Sequence, residues 1–164
     1  MNADEDTSKA ITLSGTDVES CGLSFSIVSG PSHGSLSAIS DNDCAAATPN
    51  TDSAGVTYTP ASNYNGTDSF SYKVHDTGDG SSAALDSGTA TVSITVTPVN
   101  DAPAASNDSA TVAEGGTVTV LDSTAASVLA NDTDAEGNTL TATKLSDPAH
   151  GSVTLNADGT FSYS

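Results

Sequence analysis

The chain has no arginine, no tryptophan, one methionine and only three lysines among its 164 residues. Against those lysines stand 21 acidic residues, for a formal net charge of −18. So negative a surface repels phosphate backbones and anionic headgroups, which argues against nucleic acid or a membrane surface as partner. No stretch nears the roughly 18–20 apolar residues of a spanning helix, so membrane insertion is not expected. Met1 is followed by Asn-Ala-Asp-Glu-Asp rather than the apolar run of a leader, and reads as a start added to a fragment. Aromatics are scarce as well. Four tyrosines and three phenylalanines leave little material for a sugar-stacking platform. Helical patterning is missing: no window of a dozen residues carries a 3.6-residue apolar stripe, and the Ala-rich 124–130 has room for one turn of helix at most. Acidity with low hydrophobicity is a common signature of disorder, but here the apolar residues fall into strand patterns.

That alternation has period two. Phe70, Tyr72 and Val74 point one way, while Ser69, Ser71, Lys73 and His75 point the other. Val92, Ile94 and Val96 form a second inward set among threonines and serines. Shorter strands are expected at 11–13, 34–39 and 56–58. This makes about seven strands before residue 100, punctuated by Gly, Pro, Asn and Asp, which is the pattern of an all-β sandwich.

Residues 16–37 recur at 133–154 with a constant offset of 117 and nine identities in 22 positions. Thr16-Asp17-x-Glu19 returns as Thr133-Asp134-x-Glu136, and Pro31-x-His33-Gly34-Ser35 as Pro148-x-His150-Gly151-Ser152. Repetition on this scale means an array of small domains. The expected division is 1–103 and 104–164, with Pro98-Val-Asn-Asp-Ala-Pro103 as a stiff linker. In the second unit, strands are expected at 117–121, 140–145 and 153–155, with a hairpin turn at Asn156-Ala-Asp-Gly159. The run Gly159-Thr-Phe-Ser-Tyr-Ser164 opens what residues 55–99 complete in the first, so the second repeat reads as truncated. Its missing strands are expected to come from another chain by strand exchange, or its residues to be more mobile.

Cys21 and Cys44 permit one disulfide. They lie at equal distances from the turn at 30–34, so a regular hairpin places them face to face at a bridging distance. Such a bridge implies an oxidising, extracellular setting.

Glu5-Asp6, Asp17-x-Glu19, Tyr58-x-Pro60, Asn65-Gly-Thr-Asp68-x-Phe70-x-Tyr72-x-Val74-x-Asp76 and the closing Asn100-Asp101-Ala-Pro form an ordered set. It resembles the cadherin-like tandem repeats of large bacterial surface adhesins, which are immunoglobulin-like (Ig-like) Greek-key sandwiches. The resemblance implies Ca²⁺ between successive domains. Carried over position by position, it assigns Glu5, Asp68, Asn100 and Asp101 to one half of such a site, and Asp132 and Asp134 to the other. Asp17, Glu19 and Asp76 would face a preceding domain. The residue chemistry agrees: Asp132 and Asp134 project to one side of an extended backbone, and Ca²⁺ takes six to eight oxygens.

Weaker motifs drop out. Gly30-Pro-Ser-His-Gly34 matches a nucleophile elbow, but no helix follows and the second copy lacks the serine. Asp41-Asn-Asp43 with Asp52 lacks the glycine and bidentate glutamate of an EF-hand. Asp76-Thr-Gly-Asp79-Gly80 is a looser local Ca²⁺ candidate. Lys9 and Lys73 are available for an isopeptide bond, with nothing in the sequence selecting either. The expected function is therefore non-enzymatic: a Ca²⁺-stabilised extender repeat of an extracellular or cell-surface adhesin, whose partners are neighbouring repeats or identical chains. The alternatives are a self-assembling fibre or surface-layer subunit using strand exchange, and an accessory carbohydrate-binding module of a secreted enzyme.

Overall fold

A computed structural model describes residues 1–42, 44–47, 49–78 and 83–164. Asp43, Asp79 and Gly80, from two of the weaker motifs, lie outside the described residues. Among those described every regular element is a strand. The chain forms two compact units, Met1–Val99 and Asn100–Ser164.

The first unit holds eight strands: β1 Asn2–Asp4, β2 Lys9–Asp17, β3 Ser24–Ser29, β4 Gly34–Leu36, β5 Ser40–Asp41, β6 Asn50–Pro60, β7 Gly66–His75 and β8 Ala90–Thr97. One sheet runs β1-β8-β7-β3, the other β2-β6-β4 with β5 also on β6. All pairings are antiparallel except β1 with β8. The period-two pattern explains the core. Phe70, Ile94 and Val96 from one sheet meet Ile11, Leu13, Val56 and Tyr58 from the other, all buried together with Ala3. Each such side chain contributes about 1.5–3 kcal/mol of burial. Ser71 breaks the alternation by being buried on the polar face. A register shift between Ile27 and Ser29 brings the Ser29 hydroxyl within 2.6 Å of it.

The turn at 30–34 is not a hairpin. β3 pairs with β7 and β4 with β6, so the chain crosses from one sheet to the other there. Cys21 and Cys44 are nevertheless bridged, with Cα atoms 5.8 Å apart. What brings them together is the β2–β6 ladder. Asp17 pairs with Asn50 and Thr16 with Thr51, while Ala45 folds back onto Thr51, so both cysteines reach the same end of that ladder. The expected bridge is present, and the hairpin geometry expected to produce it is not.

In the second unit the regular elements are β9 Val153–Leu155 and β10 Phe161–Tyr163, an antiparallel hairpin closed at Asn156–Gly159. Gly159 adopts φ 80°, and a Cβ there would lie 2.2 Å from the Ser127 hydroxyl, so only glycine fits. The strands expected at 117–121 and 140–145 are not formed. Val118 makes an isolated bridge to Tyr163, and 140–145 runs without a ladder partner. The stretch 124–130 contains turns and no helix. The register of the hairpin repeats the first unit: Val153 faces Tyr163 as Leu36 faces Tyr58.

Candidate cation-binding clefts

The linker residues Asn100 and Asp101 belong to the second unit, folded against its 132–139 loop. The Asp101 amide donates to Glu136 Oε2 at 3.2 Å, and Asn138 Nδ2 donates to Asn100 Oδ1 at 3.1 Å. Asp134 Oδ1 accepts the Asn138 amide at 2.8 Å, an Asx-type turn made possible by Gly137 at φ 73°. Asp132 Oδ1 accepts the Ser106 amide at 2.8 Å, and Thr133 and Ala104 exchange backbone hydrogen bonds beside it. Asn100, Asp101, Asp132, Asp134 and Asn138 consequently line one cleft of about 370 Å³. Four of the residues assigned from sequence are thus gathered inside one unit.

Asp17, Glu19 and Asp76 line a smaller cleft in the first unit. Asp17 Oδ1 caps the Glu19 and Ser20 amides, and Asp76 Oδ1 accepts those of Gly78 at 2.7 Å and Leu85 at 3.2 Å. In each aspartate one carboxylate oxygen holds the loop.

Glu5 and Asp68 occupy different surroundings. Glu5 is only 2% exposed; its Oε1 accepts the Val99 amide at 2.6 Å and its Oε2 the Asn65 side-chain amide. It holds the chain where it leaves β8. Asp68 accepts the Ser32 amide at 2.9 Å, the His33 amide at 3.0 Å, the Tyr58 hydroxyl at 2.9 Å and its neighbour Ser69. Burial alone would raise the Asp68 pKa, but these donors together hold it below the ordinary carboxylate value. Tyr58 is pushed up, first by burial and then by its bond to Asp68.

The polar side chains lining the second-unit cleft are carboxylates, asparagine amides and threonine hydroxyls, with no sulfur or imidazole. That chemistry suits a hard divalent cation. Among the described residues no three His, Cys, Asp or Glu side chains are close enough together to hold a metal. A cation here therefore has to draw on amide and backbone oxygens as well as carboxylates. Glu136 and Asn138 were not singled out in the sequence. Glu136 was within reach, since it repeats Glu19 at the same offset. Asn138 carried no signal, because its counterpart is Cys21.

The two facing sheets, antiparallel but for β1 on β8, share one apolar core and define an Ig-like β-sandwich, and the second unit repeats part of its register. The profile of the bacterial Ig domain family matches residues 1–97 and again 100–164, and the chain belongs to that family. Domains of this kind are typically non-catalytic and occur in surface or extracellular proteins. No curated protein sequence matches the chain. Among solved structures it is similar to an endo-fucoidan hydrolase of glycoside hydrolase family 107, at 19% identity and a TM-score of 0.34. The match covers 99% of this chain and 23% of that one.

Proposed function

We propose that this chain is a Ca²⁺-stabilised extender segment of an extracellular adhesin. The observation that supports it is the second-unit cleft, where linker residues Asn100 and Asp101 and loop residues Asp132 and Asp134 line a single space. A divalent cation bound there would tie the entry of the chain to the body of the repeat and offset repulsion among the carboxylates. Asp17, Glu19 and Asp76 offer the first unit a counterpart built on the same Asp-x-Glu motif. Function would then be mechanical: repeats with fixed entry geometry hold a distal binding region away from the surface.

Isothermal titration of metal-free protein with Ca²⁺ tests this. Saturable binding is expected, its second-unit component abolished by Asp134→Ala or Asp101→Ala and the whole unaffected by Asp41→Ala. Absence of saturable heat at millimolar Ca²⁺ would remove the calcium reading.

A further inference from the structure

The period-two pattern that sends Phe70, Ile94 and Val96 into the core leaves hydroxyl residues on the other side of the β7–β8 ladder. Thr67 lies opposite Thr95 and Ser69 opposite Ser93, and all four are exposed. Opposite residues on one face stand about 5 Å apart, and residues two apart on a strand about 7 Å. The four hydroxyls thus form an array on the scale of a sugar ring. Elsewhere in the first unit hydroxyls satisfy one another, Ser29 with Ser71 at 2.6 Å and Ser8 with Thr59 at 2.8 Å. Among the described residues, none of these four hydroxyls has a hydrogen-bond partner within the chain.

With Ser32 and His33 they line a cleft of about 390 Å³. The turn that supplies those two residues is held firmly. The Asp68 carboxylate accepts both their amides, and the His33 carbonyl oxygen lies 3.3 Å from the Tyr58 hydroxyl and 2.9 Å from the Ala61 amide. The His33 ring stacks on Tyr64, with centroids 4.1 Å apart and planes 4° from parallel. Tyr64 is fixed in turn by its hydroxyl, which donates to the Thr67 carbonyl at 2.7 Å. A ligand would therefore meet polar groups already in place, which lowers the ordering cost of binding.

Charge narrows the class of ligand. Asp68 is the one carboxylate at the cleft, and it is buried with its oxygens committed to four donors. A hard cation would find only neutral hydroxyls here, a poor exchange for its water. No lysine or arginine lines the cleft, so nothing offsets the repulsion of an anion by a chain of net charge −18. A neutral ligand rich in hydroxyls suits it, because each Ser and Thr hydroxyl both donates and accepts, as a sugar hydroxyl does. We infer that this cleft binds a short neutral saccharide, which exchanges hydrogen bonds with Thr67, Ser69, Ser93 and Thr95 and rests a ring against His33. With one imidazole in place of an aromatic platform, affinity is expected on the order of millimolar. The inference goes beyond the extender reading and is independent of calcium.

Titration of the isotope-labelled full chain in EDTA with maltotriose, cellotriose and mannotriose, followed by amide chemical shifts, tests it. Saturable shifts centred on residues 32–33, 67–69 and 93–95 are expected with at least one of the three, and none with trigalacturonate, an anionic trisaccharide. Thr67→Val with Thr95→Val keeps the strand propensity and side-chain shape while removing two hydroxyls. That double variant should bind at least about tenfold more weakly, as the loss of two hydrogen bonds requires. Thr12→Val, which removes a hydroxyl from β2 in the other sheet, should leave the affinity unchanged. Absence of saturable shifts with all three neutral sugars at tens of millimolar would overturn the inference. So would shifts centred elsewhere, equal binding of trigalacturonate, or full affinity in a folded double variant.

Discussion

Asp68 shows how one side chain decides the path of the backbone. A carboxylate in a nearly dry site is costly, and it stays ionised here because four donors surround it. Replacing it with alanine strands two amides and a buried phenol, each worth roughly 1–3 kcal/mol when left unpaired. Asp68→Ala is therefore expected to destabilise the first unit by about 3 kcal/mol or more, and Tyr58→Phe by about 1 kcal/mol, measured by chemical denaturation. The pH dependence follows in sign. The folded-state pKa is depressed, so this stabilisation is fully present above the ordinary carboxylate pKa. It is lost as pH falls below that value and through the folded-state pKa. Asp68→Asn should flatten the acid limb of the stability curve; an unchanged limb would show that Asp68 does not govern it. Gly34 is constrained from the other side of the same turn. A Cβ there would lie 2.6 Å from the Thr59 carbonyl oxygen and 2.6 Å from the Tyr58 ring. Neither neighbour is free to yield, so Gly34→Ala should cost about 2 kcal/mol or more, within the range for overpacking. A melting temperature equal to that of the parent would refute this.

At the scale of elements, the disulfide links the β2–β3 connection to the loop before β6 across 23 residues of sequence. Closing such a loop is worth about 3 kcal/mol in the chain-entropy model. Reduction should lower the melting temperature of the first unit by on the order of 10 °C. The Cys21→Ser, Cys44→Ser double variant should melt at the reduced value and no longer respond to reductant. The bridge also shows what the sequence made legible. Strands β7 and β8 were readable because their alternation is long, and the core members Phe70, Ile94 and Val96 came with them; of β6 only 56–58 was read, which still placed Val56 and Tyr58. The turn at 30–34 looked like a hairpin because Gly, Pro, Ser and His are hairpin punctuation. Which sheet each flanking strand joins depends on β6 and β7, dozens of residues away, and local composition does not encode that choice. The short β1 was missed: three residues, of which only Ala3 is buried, carry too little pattern. In the second unit the alternation at 140–145 pointed to a strand that does not form, because a strand needs a partner as well as a pattern. Of the sites, Asp-x-Glu stood out through repetition, and Asn100-Asp101 through the resemblance to cadherin-like repeats. The roles of Glu5 and Asp68 as acceptors of buried donors emerge only once the donors are placed around them.

For the whole molecule, the two units have unequal means of staying folded. The first contains an eight-residue buried cluster spanning two sheets. In the second, Leu121 is the one apolar side chain among the described residues that is buried, and hydrogen bonds in loops carry much of the structure. Stability scales with apolar surface removed from water, so two thermal transitions are expected, the lower belonging to the second unit. Charge adds to the difference. Residues 100–164 hold nine acids and one lysine, a net charge of −8 on a small body, and residues 1–99 hold twelve acids and two lysines. Monovalent salt should raise both transitions modestly by screening. Ca²⁺ should act differently: a ligand at a hundredfold excess over its dissociation constant adds about 2.7 kcal/mol to the state that binds it. Since the cleft lined by Asn100, Asp101, Asp132 and Asp134 lies wholly in the second unit, Ca²⁺ should raise the lower transition well beyond the effect of sodium chloride at matched ionic strength. EDTA should reverse that excess, and Asp134→Ala should remove it while leaving the sodium response in place. If calcium and sodium move the two transitions alike, the acids act only as a diffuse charge, and the proposed extender would draw its rigidity from packing alone.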